Sequence, residues 1–468
     1  MRAISWSSVP DRIRHGDRSQ YLGAVGVMGV GLAVLAVLYL GQPVFIIPIL
    51  SAAAIMIVVT LRQPVYGFLA VVAALYFPLI IGDYTLFQLV GVGVATLILV
   101  FIAMTRKGLV FSNVVPPILL FALLTVNSLT FTQDTPGTYY LVRKQAFNAL
   151  FCLLLVNILD SFRKLRLLLG LIVSMAMLNS AVAIFQFMAG AHEARAKGLQ
   201  ENENQLGEIS AWSLVIILYL FMYSKTRRQR VVALILGAIV ASGLVVSISR
   251  AAVLSLLAGL AWMTLRERRY RRRLILMAVL IVAVVPFLPK VFYQRFQNVN
   301  DAVRNTLIFT GRTGLTDRGY FNRAGLKMWR AHPIVGVGLG NFGFYYISPE
   351  FNPGARGFRN LPPHNIYIQA LAETGTLGFL VLMLWIFQVA RNYVAAGRAS
   401  PTDPLDIATM RACETITLVA LMIYITSGNI VYTNFAMIMA VSYVCRRGAQ
   451  GAARSQALAS GGAEGGTA

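Results

Sequence analysis

Lys225-Thr226-Arg227-Arg228-Gln229-Arg230 is followed by VVALILGAIVASGLVVSI at 231–248, then Ser249-Arg250, a second apolar run to 265, and Arg266-Glu267-Arg268-Arg269-Tyr270-Arg271-Arg272-Arg273. The run at 231–248 carries no charge and is long enough to cross a hydrocarbon core, which takes roughly 17–25 residues of helix. Backbone exposed to lipid must pair its own polar groups, so such a run is helical. Basic clusters at the outer ends of both runs, with only a short turn between them, describe a helical hairpin whose ends lie on the cytoplasmic side. The cluster at 266–273 could also serve as an anionic-lipid patch.

Runs of the same kind fall near 20–41, 43–61, 64–82, 85–105, 114–131, 145–160, 166–189, 208–224, 274–289, 375–394, 414–428 and 429–445. The expected fold is all-α: a polytopic integral membrane bundle of about 12–14 transmembrane helices with one large, mainly helical periplasmic loop. Composition agrees, because 57% of the 468 residues are hydrophobic and only 13% charged, about half the charge of a soluble domain. The net charge of +23 is explained by basic cytoplasmic loops, with no nucleic-acid partner. Further inner loops hold Thr105-Arg106-Lys107, Arg163-Lys164-Leu165-Arg166 and Arg446-Arg447, and the polar stretch Met1 to Gln20 reads as a cytoplasmic tail. Cys152, Cys413 and Cys445 sit in or beside apolar runs and show neither a disulfide framework nor metal spacing.

The expected organisation is 1–289 as N-terminal transmembrane helices, 290–374 as a periplasmic loop, 375–446 as C-terminal transmembrane helices, and 447–468 as a disordered cytoplasmic tail, being rich in Gly, Ala and Ser. Alternation puts three segments on the outer face: Gly190 to Gly207, the turn Ser247-Ile248-Ser249-Arg250, and the insert from Lys290 to Thr374. Structureless loops as long as that insert are uncommon unless functional. It is basic, with ten Lys and Arg between Lys290 and Arg359, Arg312 among them, against Asp301, Asp317 and Glu350. An anionic ligand or lipid headgroup would account for that excess.

The outer segments hold the candidates for chemistry. Arg195 and Lys197 lie in Ala194-Arg195-Ala196-Lys197-Gly198, and Arg250 stands where two apolar runs meet. An arginine there is either an interface anchor or a functional cation. Guanidinium suits phosphate because its planar fork stays charged and donates two parallel hydrogen bonds. His364 follows Pro362-Pro363 at a helix start. It reads either as a capping residue or as a general base, since imidazole titrates near neutrality. His192 and His332 are weaker candidates, and His332-Pro333 looks like a turn. Gly338-Leu339-Gly340-Asn341-Phe342-Gly343 matches a dinucleotide fingerprint formally, but no βαβ context surrounds it, so a close-approach turn is expected. The neighbouring Phe342, Phe344, Tyr345 and Tyr346 suit either sugar stacking or the membrane interface. No Asp-x-Asp pair and no zinc-type spacing is present, so a metal-independent reaction with no cofactor is expected.

Together these residues resemble the bacterial O-antigen ligase and polymerase superfamily of polytopic glycosyltransferases. Its ligase signature, His-[Asn/Ser/Gln], nine residues, then Gly-x-x-Gly, is met by His364-Asn365, Ile366 to Thr374, and Gly375-Thr376-Leu377-Gly378. The stretch His332-Pro333-Ile334-Val335-Gly336-Val337-Gly338-Leu339-Gly340-Asn341-Phe342 resembles the start of the same domain. Arg195 ahead of Asn204, and Ser249-Arg250, are similar to the family's two outer-face arginines; here Ala251 stands where Gly is often found. The similarity covers roughly 190–445, and the run count exceeds that common among the ligases.

The resemblance implies transfer of a glycan from undecaprenyl diphosphate, at the periplasmic face of the inner membrane, to a sugar hydroxyl. In the ligases the acceptor is lipid A-core, and in the polymerases it is another lipid-linked glycan. On that reading His364 is the catalytic base, Arg195 and Arg250 hold the diphosphate, and Asn365, Gly375, Gly378, Lys197 and Arg312 support the site. A transporter is the rival from another class, but no pair of related halves with broken midplane helices is evident.

Overall fold

The structure is a computed structural model that describes residues 46–77, 80–81, 84–105, 108–130, 132–189, 196–284, 317–352, 363–426 and 432–464. Its described part is helical apart from one two-residue strand pair. Six described helices are long and apolar enough to cross a membrane. The chain divides into two compact units, Met1–Leu109 and Val110–Ala468.

In the first unit, α1 (Ile46–Arg62) and α2 (Pro64–Ala74) are separated only by Gln63. Pro64 opens α2 at a position where its missing N–H leaves no hydrogen bond unmade. Gly67 permits the close approach of the two helices, since a Cβ there would lie within bonding range of Thr60 Oγ1. Strands β1 (Ile80–Ile81) and β2 (Tyr84–Thr85) pair antiparallel and lead into α3 (Leu86–Thr105). Thr85 and Gln88 cap that start reciprocally: Gln88 N donates to Thr85 Oγ1 and Thr85 N donates to Gln88 Oε1.

The second unit comprises α4 (Val115–Asn127), α5 (Thr135–Ile158), α6 (Phe162–Met188), α7 (Glu203–Tyr223), α8 (Arg227–Ser247), α9 (Arg250–Arg266), α10 (Arg271–Val284), α11 (Asp317–Ala331), α12 (Phe342–Tyr346), α13 (Ile366–Arg398), α14 (Pro404–Ile423) and α15 (Thr433–Glu464). Helix starts follow local capping chemistry. Asp134 accepts from Gly137 N, Asn202 from Asn204 N and Gln205 N, and Thr226 forms a capping box with Gln229. The hairpin expected at 231–265 forms as α8 and α9, reversing at Ile248, which takes a left-handed φ of 49°.

Charge segregates along the bundle. At one end Arg166 pairs with Asp406 at 2.5 Å, Arg266 with Glu414 at 3.4 Å, and Tyr223 donates to Glu267 at 2.9 Å. The capping sequence Thr226–Arg230 and the guanidinium of Arg447, which donates to Val156 O, lie at that same end. The opposite end gathers the starts of α5, α7, α9, α13 and α15. This is the alternation that the basic clusters predict.

Two expectations change. The apolar run placed at 375–394 belongs to a longer helix, α13, which begins nine residues earlier at Ile366. Gln369, Glu373 and Thr374 lower the hydropathy of that first part, yet all three are buried with hydrogen-bond partners. The expected disordered tail is helical from 447 to Glu464 as a continuation of α15. Extending an existing helix through a segment containing Ala449, Ala452, Ala453, Gln456 and Leu458 avoids the cost of a new nucleus.

Candidate active site at a break in a long helix

Gly375 breaks α13. Its φ of 64° and ψ of −165° are non-helical, so the carbonyls just before it and the amides just after it lose their helical partners. The segment from His332 to Gly338, emerging from the end of α11, supplies replacements. Val337 N donates to Ala372 O at 2.9 Å and Gly338 N to Glu373 O at 3.0 Å; Thr376 N donates to Pro333 O at 2.8 Å and Leu377 N to Ile334 O at 3.2 Å. This strap lies so close that a Cβ on Gly375 would contact backbone atoms of Ile334 and Gly336. Trp329 Nε1 donates to Thr376 Oγ1 at 3.0 Å and ties α11 to the same point. Gly378, one turn on, leaves room for the Thr374 side chain. The Gly-x-x-Gly spacing is thus a break followed by a close approach.

The glycine-rich stretch behind the strap is a close-approach turn, as expected. Gly336, Gly338 and Gly340 have φ of 71°, 92° and 87°. Two buried side chains fasten it. Glu373 Oε1 accepts from Gly340 N and Phe342 N, both at 3.1 Å, while Gln369 Nε2 donates to Glu373 Oε2 at 2.8 Å. Asn341 Oδ1 accepts from Thr132 Oγ1, Gln133 N and Asp134 N, and Asn341 Nδ2 donates to Val337 O. Phe342 is 1% exposed in a cluster with Phe321, Met328 and Ala372. It therefore belongs to the core, not to a sugar platform or a membrane interface, whereas Phe344 is exposed.

His364 is half-buried and adopts a left-handed φ of 55°, a conformation uncommon outside glycine. Its ring meets the Phe321 ring edge-on at 6.0 Å between centroids. The capping role falls to its neighbour: Asn365 Oδ1 accepts from Tyr367 N at 3.0 Å and Ile368 N at 3.2 Å. The turn is anchored again where Ile366 N donates to Tyr424 O at 3.1 Å. Tyr424 in turn donates its hydroxyl to Glu208 Oε1 at 2.5 Å.

Glu208 lies in the second turn of α7, and that helix start is the hub of this end of the bundle. Gln205 hydrogen-bonds Tyr432. Burial, with Glu208 and Glu201 nearby, pushes the Tyr432 phenol up to about 12, so it remains neutral. Asn204 Oδ1 accepts from Ser249 Oγ at 3.3 Å, and Gly207 lets the Ser249 turn close on α7, since a Cβ there would lie 2.6 Å from Ser249 Cβ. Arg250 follows directly as the first residue of α9, half-buried. The turns bearing His364 and Arg250 are therefore fastened to successive faces of one helix start.

Lys197 is exposed, in a segment that is itself stitched into the bundle. Gly198 N donates to Gln186 Oε1, Leu199 N to Asn179 Oδ1, and Ala196 N to Val246 O. Gly198 takes φ 63°, and a Cβ there would lie 2.6 Å from Asn179 O, so the site is open only to glycine. Arg195 and Arg312 lie outside the described residues. Glu208, Glu373, Asn341 and Tyr424 were not singled out from the sequence. For the first three the signal is a carboxylate or amide within an otherwise apolar or glycine-rich stretch, where a polar group is expensive unless paired.

Apolar helices of spanning length, with a polar, hydrogen-bonded end built around a broken helix, define a polytopic membrane protein with a candidate site at one bundle end. Residues 235–383 match the family model described as O-antigen ligase, a span running from α8 through the Arg250 turn, the strap and His364 to beyond the break. That segment is similar to the O-antigen ligase family, a likeness that with the apolar helices supports a membrane enzyme of that general type. No curated protein matches the chain.

Proposed function

We propose that the chain moves a glycan from undecaprenyl diphosphate to a sugar hydroxyl on the periplasmic face of the bacterial inner membrane, in the manner of an O-antigen ligase. The observation that carries this reading is the fastening of the His364 turn, through Tyr424 and Glu208, to the same helix start that holds the Arg250 turn. That end is also the one without the basic clusters, which suits an outer face.

In the proposed step the acceptor oxygen attacks the anomeric carbon. A carbon–oxygen bond to the acceptor forms, the bond to the diphosphate breaks, and its electron pair leaves with the diphosphate. His364 takes the acceptor proton on an unprotonated ring nitrogen. Arg250, with Arg195 assigned by resemblance, balances the charge growing on the leaving group, the kind of electrostatic term that is usually largest. Attack opposite the diphosphate inverts the anomeric centre. Asn365, Gly375 and Gly378 act indirectly by shaping the His364 turn and the break, and Lys197 and Arg312 add positive charge.

The test supplies purified protein with a lipid-diphosphate glycan, with and without a lipopolysaccharide core acceptor. Capped core supports the ligase reading, and lengthened lipid-linked chains would support a polymerase of repeat units, the second activity within the superfamily. Neither product would favour a transporter. His364→Ala should abolish transfer while the protein stays in the membrane, and full activity in that variant would remove His364 from the mechanism.

A further inference from the structure

One face of α5 carries Tyr140, Lys144, Asn148 and Cys152 at four-residue steps, which stacks them in a single stripe. The inner half of that stripe is packed against the start of α15: Thr433 Oγ1 donates to Asn148 Oδ1 at 2.7 Å, and Cys152 Sγ lies 3.4 Å from Ala436 O. Lys144 lies one turn closer to the site end. Its ammonium is 5.5 Å from the Tyr432 ring centroid and 5.9 Å from that of Tyr140. Among the described residues Lys144 forms no hydrogen bond and no ion pair, and Glu201 acts on it only through space.

That arrangement is unusual for a structural lysine. An ammonium carries three donors, and partial burial without an acceptor is unfavourable. The two rings offset part of that cost, but they are neutral and supply no acceptor along the donor directions. Nearby carboxylates are already engaged, Glu208 by Tyr424 and Glu201 by Gln205 Nε2. Lys144 is also placed relative to Arg250: Tyr432, over Lys144, bonds Gln205, and Ser249, before Arg250, bonds Asn204 one residue earlier in the same helical turn. Two cations thus flank the start of α7 from neighbouring elements.

We propose that Lys144, seated between Tyr140 and Tyr432, binds a phosphate group of the lipid-linked donor alongside Arg250. The assignment rests on the glycosyltransfer reading above and adds a binding residue that neither motif spacing nor the family match supplies; residue 144 lies outside the matched span 235–383. An ammonium suits this place because it acts as a compact charge that can rotate its donors toward an oxygen entering between the rings.

The test uses the full-length wild-type protein in detergent, labelled with an amine-acylating reagent and read by mass spectrometry. The probe is undecaprenyl diphosphate, with phosphatidylglycerol as a separate arm. Undecaprenyl diphosphate should slow Lys144 labelling several-fold while leaving Lys225, at the far end of α7, unchanged. In transfer assays Lys144→Met should raise the donor KM about tenfold, a loss of about 1.4 kcal/mol, with a smaller effect on kcat, and Lys144→Arg should restore most of it. Equal labelling with and without the probe, or shielding by phosphatidylglycerol alone, would overturn the proposal. If Arg250→Gln loses the donor while Lys144→Met keeps the wild-type KM, the Lys144 assignment fails and the transferase reading stands. If wild-type protein neither transfers glycan nor responds to the probe, the transferase reading fails first.

Discussion

Gly375→Ala adds a single methyl where the strap crosses broken helix α13, and its cost can be built up from the geometry. At φ 64°, ψ −165° the residue occupies a region essentially reserved for glycine, and holding another residue there costs on the order of 1–3 kcal/mol. The new Cβ would also run into Ile334 C and stand 2.6 Å from Gly336 N, backbone atoms that cannot rotate aside. Relief requires the strap to move off, which opens the four bridging hydrogen bonds described above. Each contributes about 0.5–1.5 kcal/mol net, so losing half of them adds about 1–3 kcal/mol. The total is about 2–6 kcal/mol, concentrated locally. Hydrogen exchange of full-length protein should then show the amides of Val337, Gly338, Thr376 and Leu377 exchanging about 30-fold faster or more, since every 1.4 kcal/mol is tenfold. Transfer should fall with it, because His364 stands at the head of the same helix. Gly397→Ala provides the control: nothing lies within 4 Å of its Cβ, and the change should be neutral or stabilising by up to about 1 kcal/mol. Wild-type protection of those four amides in Gly375→Ala would refute the idea that the glycine is there to admit the strap.

Glu373→Ala leaves the Gly340 and Phe342 amides without their acceptor; at about 1–3 kcal/mol per orphaned group it should lower thermal stability severely. Glu373→Gln, which keeps an acceptor oxygen, should cost far less, and equal losses would show that charge rather than hydrogen bonding matters. His364→Gly relieves a left-handed φ of 55°, so the melting temperature should hold or rise while transfer is lost; a collapse in stability would mark a structural histidine. Tyr424→Phe strands the Glu208 carboxyl at a cost of about 1–3 kcal/mol, and Glu208→Leu in the same background should recover much of it. Strictly additive losses in that double-mutant cycle would argue against coupling between the two.

Much of the bundle was legible because a hydrocarbon solvent leaves so few options. The basic clusters at 225–230 and 266–273 framed a hairpin that forms as α8 and α9. Boundaries failed where a helix carries polar residues that are paired inside the protein. The first nine residues of α13, with Gln369, Glu373 and Thr374, fall in the expected periplasmic insert for that reason, although a helix start is expected at His364. The helical extension of α15 is not evident from composition, because glycine content by itself does not register the helix already running into that segment.

At the candidate site, spacing singles out residues but says nothing of the relations among them. His364, Gly375 and Gly378 stood out by spacing, and Arg250 by its position between two apolar runs. Hydropathy alone specifies spanning helices and their alternation, since that pattern depends only on the solvent each residue meets. What spacing could not supply is why the glycines are needed or what holds the histidine. Those answers lie in hydrogen bonds between residues far apart in the chain: Val337 with Ala372, Tyr424 with Glu208 and Ile366, and Ser249 with Asn204. Such pairs leave no periodic trace, because each is a single polar group whose burial becomes tolerable only once the fold has brought its partner to it.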